Sequence, residues 1–395
     1  MRIGAAGAFL GALATVLGAF VVLRPSRIQR GEELSALEAF GGGGWVLLGL
    51  WIAAAVLALL LERGLARGRA PVAAAVAVLA GATLPLGLLL AAQSAADHAA
   101  TAEWARTSLG FSFWLTAFAV YLAISSALAE IRGAASRALL ALVAPSAVVA
   151  LIATGRLDSL SIMIEYSNFA QPLTENLIQH IAYTLGASGV ALVFGLALGV
   201  LASKRAWAEK SVFSVLNVAQ VMPALAFIGL VMPLMGWLRE NVPLAEEFGI
   251  GGIGWAPVFI VLLLYAMYPI TRKTYAAVKA LDAGITDAAR GMGMGPLRRV
   301  FEVELPLVAP VVLAGLRIAL VQTAAGAIVA ALVGGGGLGR IVFYGLEQTA
   351  QDLVLLGVLA IVGLGLLFDI TLRLVGAALE RRGGLGVQTT AEVGS

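Results

Sequence analysis

The sequence predicts an all-α polytopic membrane protein with about ten transmembrane helices. Three observations lead there. Of its 395 residues, 60% are hydrophobic and only 12% charged, against roughly 25% charged in a soluble domain. Mean hydropathy is +0.95. The apolar residues also fall in uncharged runs close to the ~20 residues a helix needs to cross a bilayer. The polar gaps between these runs are too short to bury a soluble core.

The first run, 3–23, is long for a signal-peptide core and lacks a cleavage site, so it reads as a helix. Ala/Leu-rich spans follow at 45–61, 71–92, 111–129 and 138–153. The stretch from 154 to 177 is mixed, with Pro172 and an amphipathic piece around Ile162 to Tyr166. Five more spans lie at 178–202, 212–238, 255–271, 307–333 and 353–379. The expected organisation is an N-terminal membrane extension (1–155), a periplasmic connecting segment (156–177), a core (178–382) and a cytoplasmic tail (383–395). The glycine runs 41–44 and 334–337 read as turn material.

Lys and Arg set the orientation. With the segment around Asp287 taken as cytoplasmic, the inside loops hold Arg63, Arg67, Arg69, Arg132, Arg137, Lys204, Arg205, Lys210, Lys273, Lys279, Arg290, Arg298, Arg299, Arg381 and Arg382. The outside loops hold Arg24, Arg27, Arg30, Arg106, Arg156, Arg239 and Arg340. Arg24, Arg27 and Arg30 run against the rule, even with Glu32, Glu33 and Glu38 nearby. An even span count puts both termini in the cytoplasm. The net charge of +3 is scattered between spans and does not point to nucleic acid. Absence of cysteine excludes disulfides and cysteine-bound metals. His98 and His180 are too few and too distant for a metal site or a triad.

The longest polar-rich segment within the membrane pattern is 287–306, DAARGMGMGPLRRVFEVELP. Asp282 suits a helix cap running through Ala289. Gly291, Gly293 and Gly295 are expected to break that helix, and Pro296 suits the first turn of the next. Leu305-Pro306 marks entry to the following apolar run. This segment resembles the EAA loop of ATP-binding-cassette (ABC) importer permeases, patterned E-A-A, three residues, G, nine residues, I, any residue, L-P. Asp287, Ala288, Ala289, Gly293, Val303, Leu305 and Pro306 fall at those spacings, with Asp for Glu and Val for Ile.

That resemblance implies a type I-like permease core in the last five spans. It also implies that Asp287, Ala288, Ala289, Gly291, Gly293, Leu305 and Pro306, in the loop 282–306, belong to a docking surface for cytoplasmic ABC ATPase subunits. The implied partners are those ATPases, a periplasmic or extracellular substrate-binding protein, and a second permease subunit as homo- or heterodimer in the inner membrane. ATP hydrolysis would then belong to the partner, and this chain would hold no catalytic, cofactor or metal site. Residues 219–226 (AQVMPALA), 265–275 (YAMYPITRKTY), 289–294 (ARGMGM) and 334–339 (GGGGLG) resemble the subfamily importing glycine betaine, choline and related osmoprotectants. The cargo implied is an osmoprotectant. Alternatives are another small solute, such as an amino acid or sulfonate, or an ion-coupled secondary transporter. The latter calls for inverted repeats and several buried acids, and neither is visible.

Other polar features carry weaker signals. Gly334 to Gly339 is no phosphate loop, since no Lys-Ser or Lys-Thr follows and a membrane helix precedes it. Pro223, Pro233, Pro257 and Pro269 fall in or at spans, where proline interrupts the hydrogen-bond ladder and transporters line cavities. Gln220 is polar at membrane depth, suited to a pathway or to helix packing. Arg317 is an intramembrane charge with Asp369 as its one clear partner. Phe227, Trp237, Trp255, Tyr265 and Tyr268 offer aromatic faces to a quaternary ammonium or act as interface anchors. The candidate translocation path is Gln220, Pro223, Tyr265, Tyr268 and Arg317.

Overall fold

The computed structural model describes residues 3–27, 29–66, 68–101 and 104–383. The orientation signals of Arg67 and of the Arg381 and Arg382 side chains, and the expected tail from 384 onward, lie outside the described residues. In chain order the elements are α1 (Ile3–Val16), β1 (Val21–Arg24), β2 (Glu32–Leu34), α2 (Ala36–Phe40), α3 (Gly42–Glu62), α4 (Arg69–Ala99), β3 (Arg106–Leu109), α5 (Phe111–Ala129) and α6 (Ala134–Ala153). Then come α7 (Ser161–Lys204), α8 (Ala206–Val221), α9 (Ala224–Asn241), α10 (Pro243–Glu247), α11 (Trp255–Lys279), α12 (Ala283–Gly291) and α13 (Pro296–Arg299). A π-turn (Val300–Glu304) leads into α14 (Leu305–Gly326), a 3-10 segment (Ala327–Val333), α15 (Gly339–Glu347) and α16 (Gln351–Gly383).

Each of the ten apolar runs contains helix. Eight are helices long enough to cross a membrane, one is the bent pair α8–α9, and one is the short α1. The first expectation therefore needs correction: the run 3–23 is helical only to Val16, and Gly18 (φ 81°) turns the chain into β1. The second correction concerns 212–238, which is two helices meeting at 113°. The third is that Gly42 to Gly44 lie inside α3, so only Gly41 (φ 50°) serves as turn material there. The mixed stretch 154–177 consists of turns followed by the first four turns of α7.

Contacts divide the chain at Asn168/Phe169 into two units. In the first, α1 packs on α3 and α5, and α4 packs on α3, α5 and α6. Helices in lipid associate through close van der Waals packing rather than through water exclusion, and α1 is built for that. A Cβ on Gly11 would stand 2.3 Å from the fully buried Trp51 ring, and one on Gly7 would stand 3.1 Å from Ala123 N. One end of this unit carries a three-stranded antiparallel sheet, order β2-β1-β3, pairing Val21 with Leu34 and Leu109. Phe20 anchors it through edge contacts to Phe40 and Phe113, at 5.5 and 5.7 Å.

An ion pair beside the sheet accounts for part of the basic cluster that opposes the orientation rule. Arg27 donates from Nη2 to Glu165 at 3.2 Å, and Glu165 is buried. One of the three cations is therefore neutralised locally by an acid 138 positions away, which no local reading of charge could reveal.

In the second unit α11 is the most buried span, packing on α8, α9 and α14, and α14 packs on α16. The two ends of this bundle can be told apart from their polar ties. At the basic end, Lys204 lies 2.7 Å from Glu304, and Glu209 accepts from Tyr275 (2.6 Å) and Lys279 (3.1 Å). At the opposite end, Tyr183 donates to Gly335 O (2.6 Å), Gly337 N–H to Gln179 (3.0 Å) and Gly254 N–H to Val333 O (2.8 Å). The bent pair starts beside Glu209 and ends where Gly252 abuts the Met232 carbonyl, so it passes from one end to the other as a broken span.

Candidate functional site in the second unit

The polar segment at the basic end folds as its residues suggest, with one refinement. Asp282 caps α12 by accepting from Gly284 N–H at 2.8 Å. The helix continues past Ala289 and includes Gly291. Of the three glycines expected to break it, only Gly293 adopts a left-handed conformation (φ 77°); Gly295 sits in extended backbone before Pro296. Gly293 N–H bonds Arg290 O and Met294 N–H bonds Ala289 O, closing the helix end. Asp287 is exposed and pairs with Arg290 at 3.1 Å, Ala288 is exposed, and Ala289 is buried. Large apolar side chains stand outward along the segment: Ile285, Met292, Leu297 and Phe301.

The base of the segment is fixed by a residue the sequence reading passed over. Glu304 is buried, with Arg299 donating to it at 3.0 Å and the Lys204 ammonium 2.7 Å away as an ion pair. It lies at the end of the π-turn, where Leu305 N–H reaches back to Val300 O. A π-turn inserts one residue into the ladder and turns the following side chains, and such turns recur at functional positions. Leu305 and Pro306 thus continue one helical path. Glu304 was legible only as an acid among apolar neighbours, because Lys204 is one hundred positions away.

At mid-span, Pro223 caps α9 and the chain is extended at Met222. The break leaves carbonyls at the end of α8 without ladder partners. Tyr265, ten residues into α11, donates its hydroxyl to Met222 O. Gln220, in the last turn of α8, has a buried Oε1 without a partner among the described residues. Three candidate path residues therefore gather at the break. Pro233, Pro257 and Pro269 sit within continuous helices. Tyr268 packs instead with a separate cluster around Ala191, Leu216 and Ile270. Arg317 is engaged elsewhere, in an ion pair with Asp369 on α16 at 3.0 Å, and Asp369 also pairs with Arg373 at 2.8 Å.

His180 is a second residue whose part was not foreseen. It is fully buried on α7, its Nδ1 accepting from Leu338 N–H (3.3 Å) and its Nε2 2.8 Å from Ala324 O. An acceptor at Nδ1 places the ring proton on Nε2, which donates to Ala324. With Gln179 and Tyr183, it clamps the glycine turn, where Gly334, Gly336 and Gly337 all have positive φ. The expectation that 334–337 forms a turn holds at this end.

Residues 191–382 match the family described as binding-protein-dependent transport system inner membrane component. A carnitine transport permease protein, OpuCB of Listeria monocytogenes, is 30% identical over 194 residues, 49% of this chain and 82% of that protein. The chain belongs to this family of ABC importer permeases. The osmoprotectant import permease protein OsmW of Salmonella typhimurium is 29% identical over 227 residues, 58% of this chain and 99% of that protein. The choline transport system permease protein OpuBB of Bacillus subtilis is 28% identical over 204 residues, 52% of this chain and 85% of that protein. Residues 1–163 match the N-terminal domain of the ABC transporter permease YehY. A solved structure of the MetNI methionine ABC transporter, inward facing, shares 22% identity over 54% of this chain and 98% of that one, with a TM-score of 0.47. The protein is a multi-pass inner-membrane permease.

Proposed function

We propose that this permease forms half of an ATP-driven importer for a small quaternary-ammonium osmolyte of the glycine betaine or choline type. The observation that carries the cargo is chemical. Relatives named for osmoprotectant, choline and carnitine transport each match about half of this chain, and choline and carnitine share a trimethylammonium group. The segments 219–226 and 265–275 supply the broken span and the tyrosine that caps it.

The basic end is read as cytoplasmic, and the loop 282–306 as the contact for ATPase subunits. Supporting this, the loop presents Ile285, Met292, Leu297 and Phe301 outward while its base is held by the Lys204–Glu304–Arg299 ties. A rigid mount with an uncovered apolar surface suits transmission of motion from a partner. Asp287, Ala288, Ala289 and Gly291 lie on the contact helix, Gly293 closes it, and Leu305 and Pro306 begin the span that carries the motion onward. A substrate-binding protein delivers cargo at the opposite end, a second permease subunit completes the path, and residues 1–155 form an added membrane extension.

The test is uptake of labelled betaine into proteoliposomes holding the complex with its binding protein. Uptake should require internal ATP and survive collapse of proton and sodium gradients. Gradient-driven uptake without ATP would remove the ABC reading. ATP-driven uptake of an amino acid with no competition from betaine would remove only the cargo. Gly293→Val, which places a branched residue at φ 77°, should abolish uptake and ATPase co-purification while the protein remains in the membrane.

A further inference from the structure

A cleft of about 540 Å³ opens at the end of the second unit opposite the docking loop, between the last turn of α9, α10 and the loop leading to α11. Its walls follow from the local sequence. Gly252 lies so close to α9 that a Cβ there would stand 2.8 Å from the Met232 carbonyl. Gly251 is bare enough for Arg239 to lie across it, with Cδ and Nη1 at 3.5 and 3.7 Å from where a Cβ would be. Gly254 N–H pins the loop to Val333 O at 2.8 Å. The cleft is therefore framed by backbone contacts, and its volume falls within the ~300–1,000 Å³ typical of small-molecule sites.

The lining carries Arg239, Glu240 and Glu246, with Ile253 as an apolar wall. Among the described residues, none of these three charged groups holds an ion pair or a side-chain hydrogen bond. One guanidinium and two carboxylates share the cavity with no N···O contact within 4.0 Å. That set has a net charge of −1. It suits a ligand with a positive centre for the acids and a carboxylate for the guanidinium fork, and Ile253 can cover N-methyl groups. A simple anion would meet two like charges. α9 connects this cleft to the mid-span break, since Met235 and Leu238 on the same helix pack in the cluster around Tyr265.

We propose that this cleft is a loading site, in the permease itself, for a small zwitterion bearing an ammonium and a carboxylate. The ligand class rests on the osmolyte reading above; the site rests on the cavity and its charges. In the transport cycle the cargo would pause here after release from the binding protein and before α9 and the break admit it.

The test uses the full-length permease in nanodiscs, without binding protein or ATPase, and measures equilibrium binding of labelled glycine betaine. Saturable binding is expected, weakened about tenfold or more by R239Q and by E246Q, the worth of one charge-assisted contact. Choline, which lacks the carboxylate, should lose affinity with E246Q and not with R239Q. All three charges are exposed, so the variants should fold, and an unchanged elution profile and melting temperature would confirm it. Absence of saturable binding of any small zwitterion, or binding indifferent to both substitutions, overturns the proposal. So does normal ligand binding paired with lost binding-protein docking in the complex, which would make this surface a protein contact. Binding of an amino acid, lost in the same variants while betaine is ignored, would keep the cleft and remove the osmolyte reading.

Discussion

The two units solve the same problem, packing helices in lipid, in different ways. In the first unit the apolar spans α3 to α6 are unbroken, and the hydroxyls of Thr83 and Ser112 bond within their own helix or at its end. Thr83 bonds Ala80 O, and Ser112 bonds Leu17 O. The ties between spans lie at the unit's ends, as between Arg69 and Glu130. The second unit carries a 113° break, a π-turn and a 3-10 segment within its spans. Its polar ties run between elements: Tyr265 to Met222, Ser188 to Thr323, His180 to Ala324 and Leu338. Irregular backbone at membrane depth persists only where protein or a polar cavity satisfies it. We propose from this contrast that the moving parts lie in the second unit and that the first is a fixed frame.

That contrast breaks most easily at Glu304. Glu304→Gln leaves Lys204 and Arg299 facing a neutral group, and removing one partner of a buried pair costs about 3 kcal/mol or more. Lys204 retains 34% side-chain exposure, which holds the cost to the low end. The expected readout is a lower melting temperature together with loss of ATPase co-purification. Retained co-purification would mean that the loop keeps its position without this anchor.

Gly11→Val tests the other side. The new side chain would meet the buried Trp51 ring, and overpacking of this kind costs roughly 1–3 kcal/mol. Melting temperature should fall while uptake per folded complex stays constant, because a frame that still stands does its work. A fall in turnover at constant folded amount would give the first unit a part in the transport cycle.

Much of this architecture is legible in the sequence, and the failures share one cause. Apolar run length located the eight long spans, the bent pair and α1, and the spacing of Asp282, Gly293 and Pro296 located the helices of the polar loop. Hydropathy could not see that 212–238 bends at Met222, since composition is apolar on both sides and Pro223 resembles three other span prolines that leave their helices continuous. Nor could it find the sheet, whose strands have only three or four residues and whose β1–β3 pairing joins Val21 to the distant Leu109. His180 and Glu304 were overlooked because their decisive partners, backbone atoms of Ala324 and Leu338 and the cation of Lys204, lie far away in the chain. Local pattern predicts elements; long-range partners decide which polar residues matter.

Tyr265→Phe is a smaller perturbation aimed at the break. It removes one hydroxyl and leaves Met222 O without its donor, a loss of about 1 kcal/mol or slightly more. Stability should barely change, yet uptake should fall, because the bond holds the junction between α8 and α9. Normal uptake kinetics in this variant would reduce the break to a static kink and weaken the division between frame and moving part.

The smallest effect is expected at Arg373. It shares Asp369 with Arg317, but its side chain is 63% exposed against 36% for Arg317. An exposed pair contributes ~0–1 kcal/mol, and its long stem can carry the charge toward headgroups. Counted at 1.5 Å per residue, Arg373 lies roughly 33 Å along α16 from Gln351, beyond a hydrocarbon core about 30 Å thick. Asp369 and Arg317 lie deeper and satisfy each other. R373Q should therefore leave melting temperature and uptake within error, whereas D369N should lower both by depriving Arg317 of its counter-charge. If R373Q stopped uptake instead, the Arg317–Asp369–Arg373 group would belong to the moving machinery, and the candidate path would extend from the break to α16.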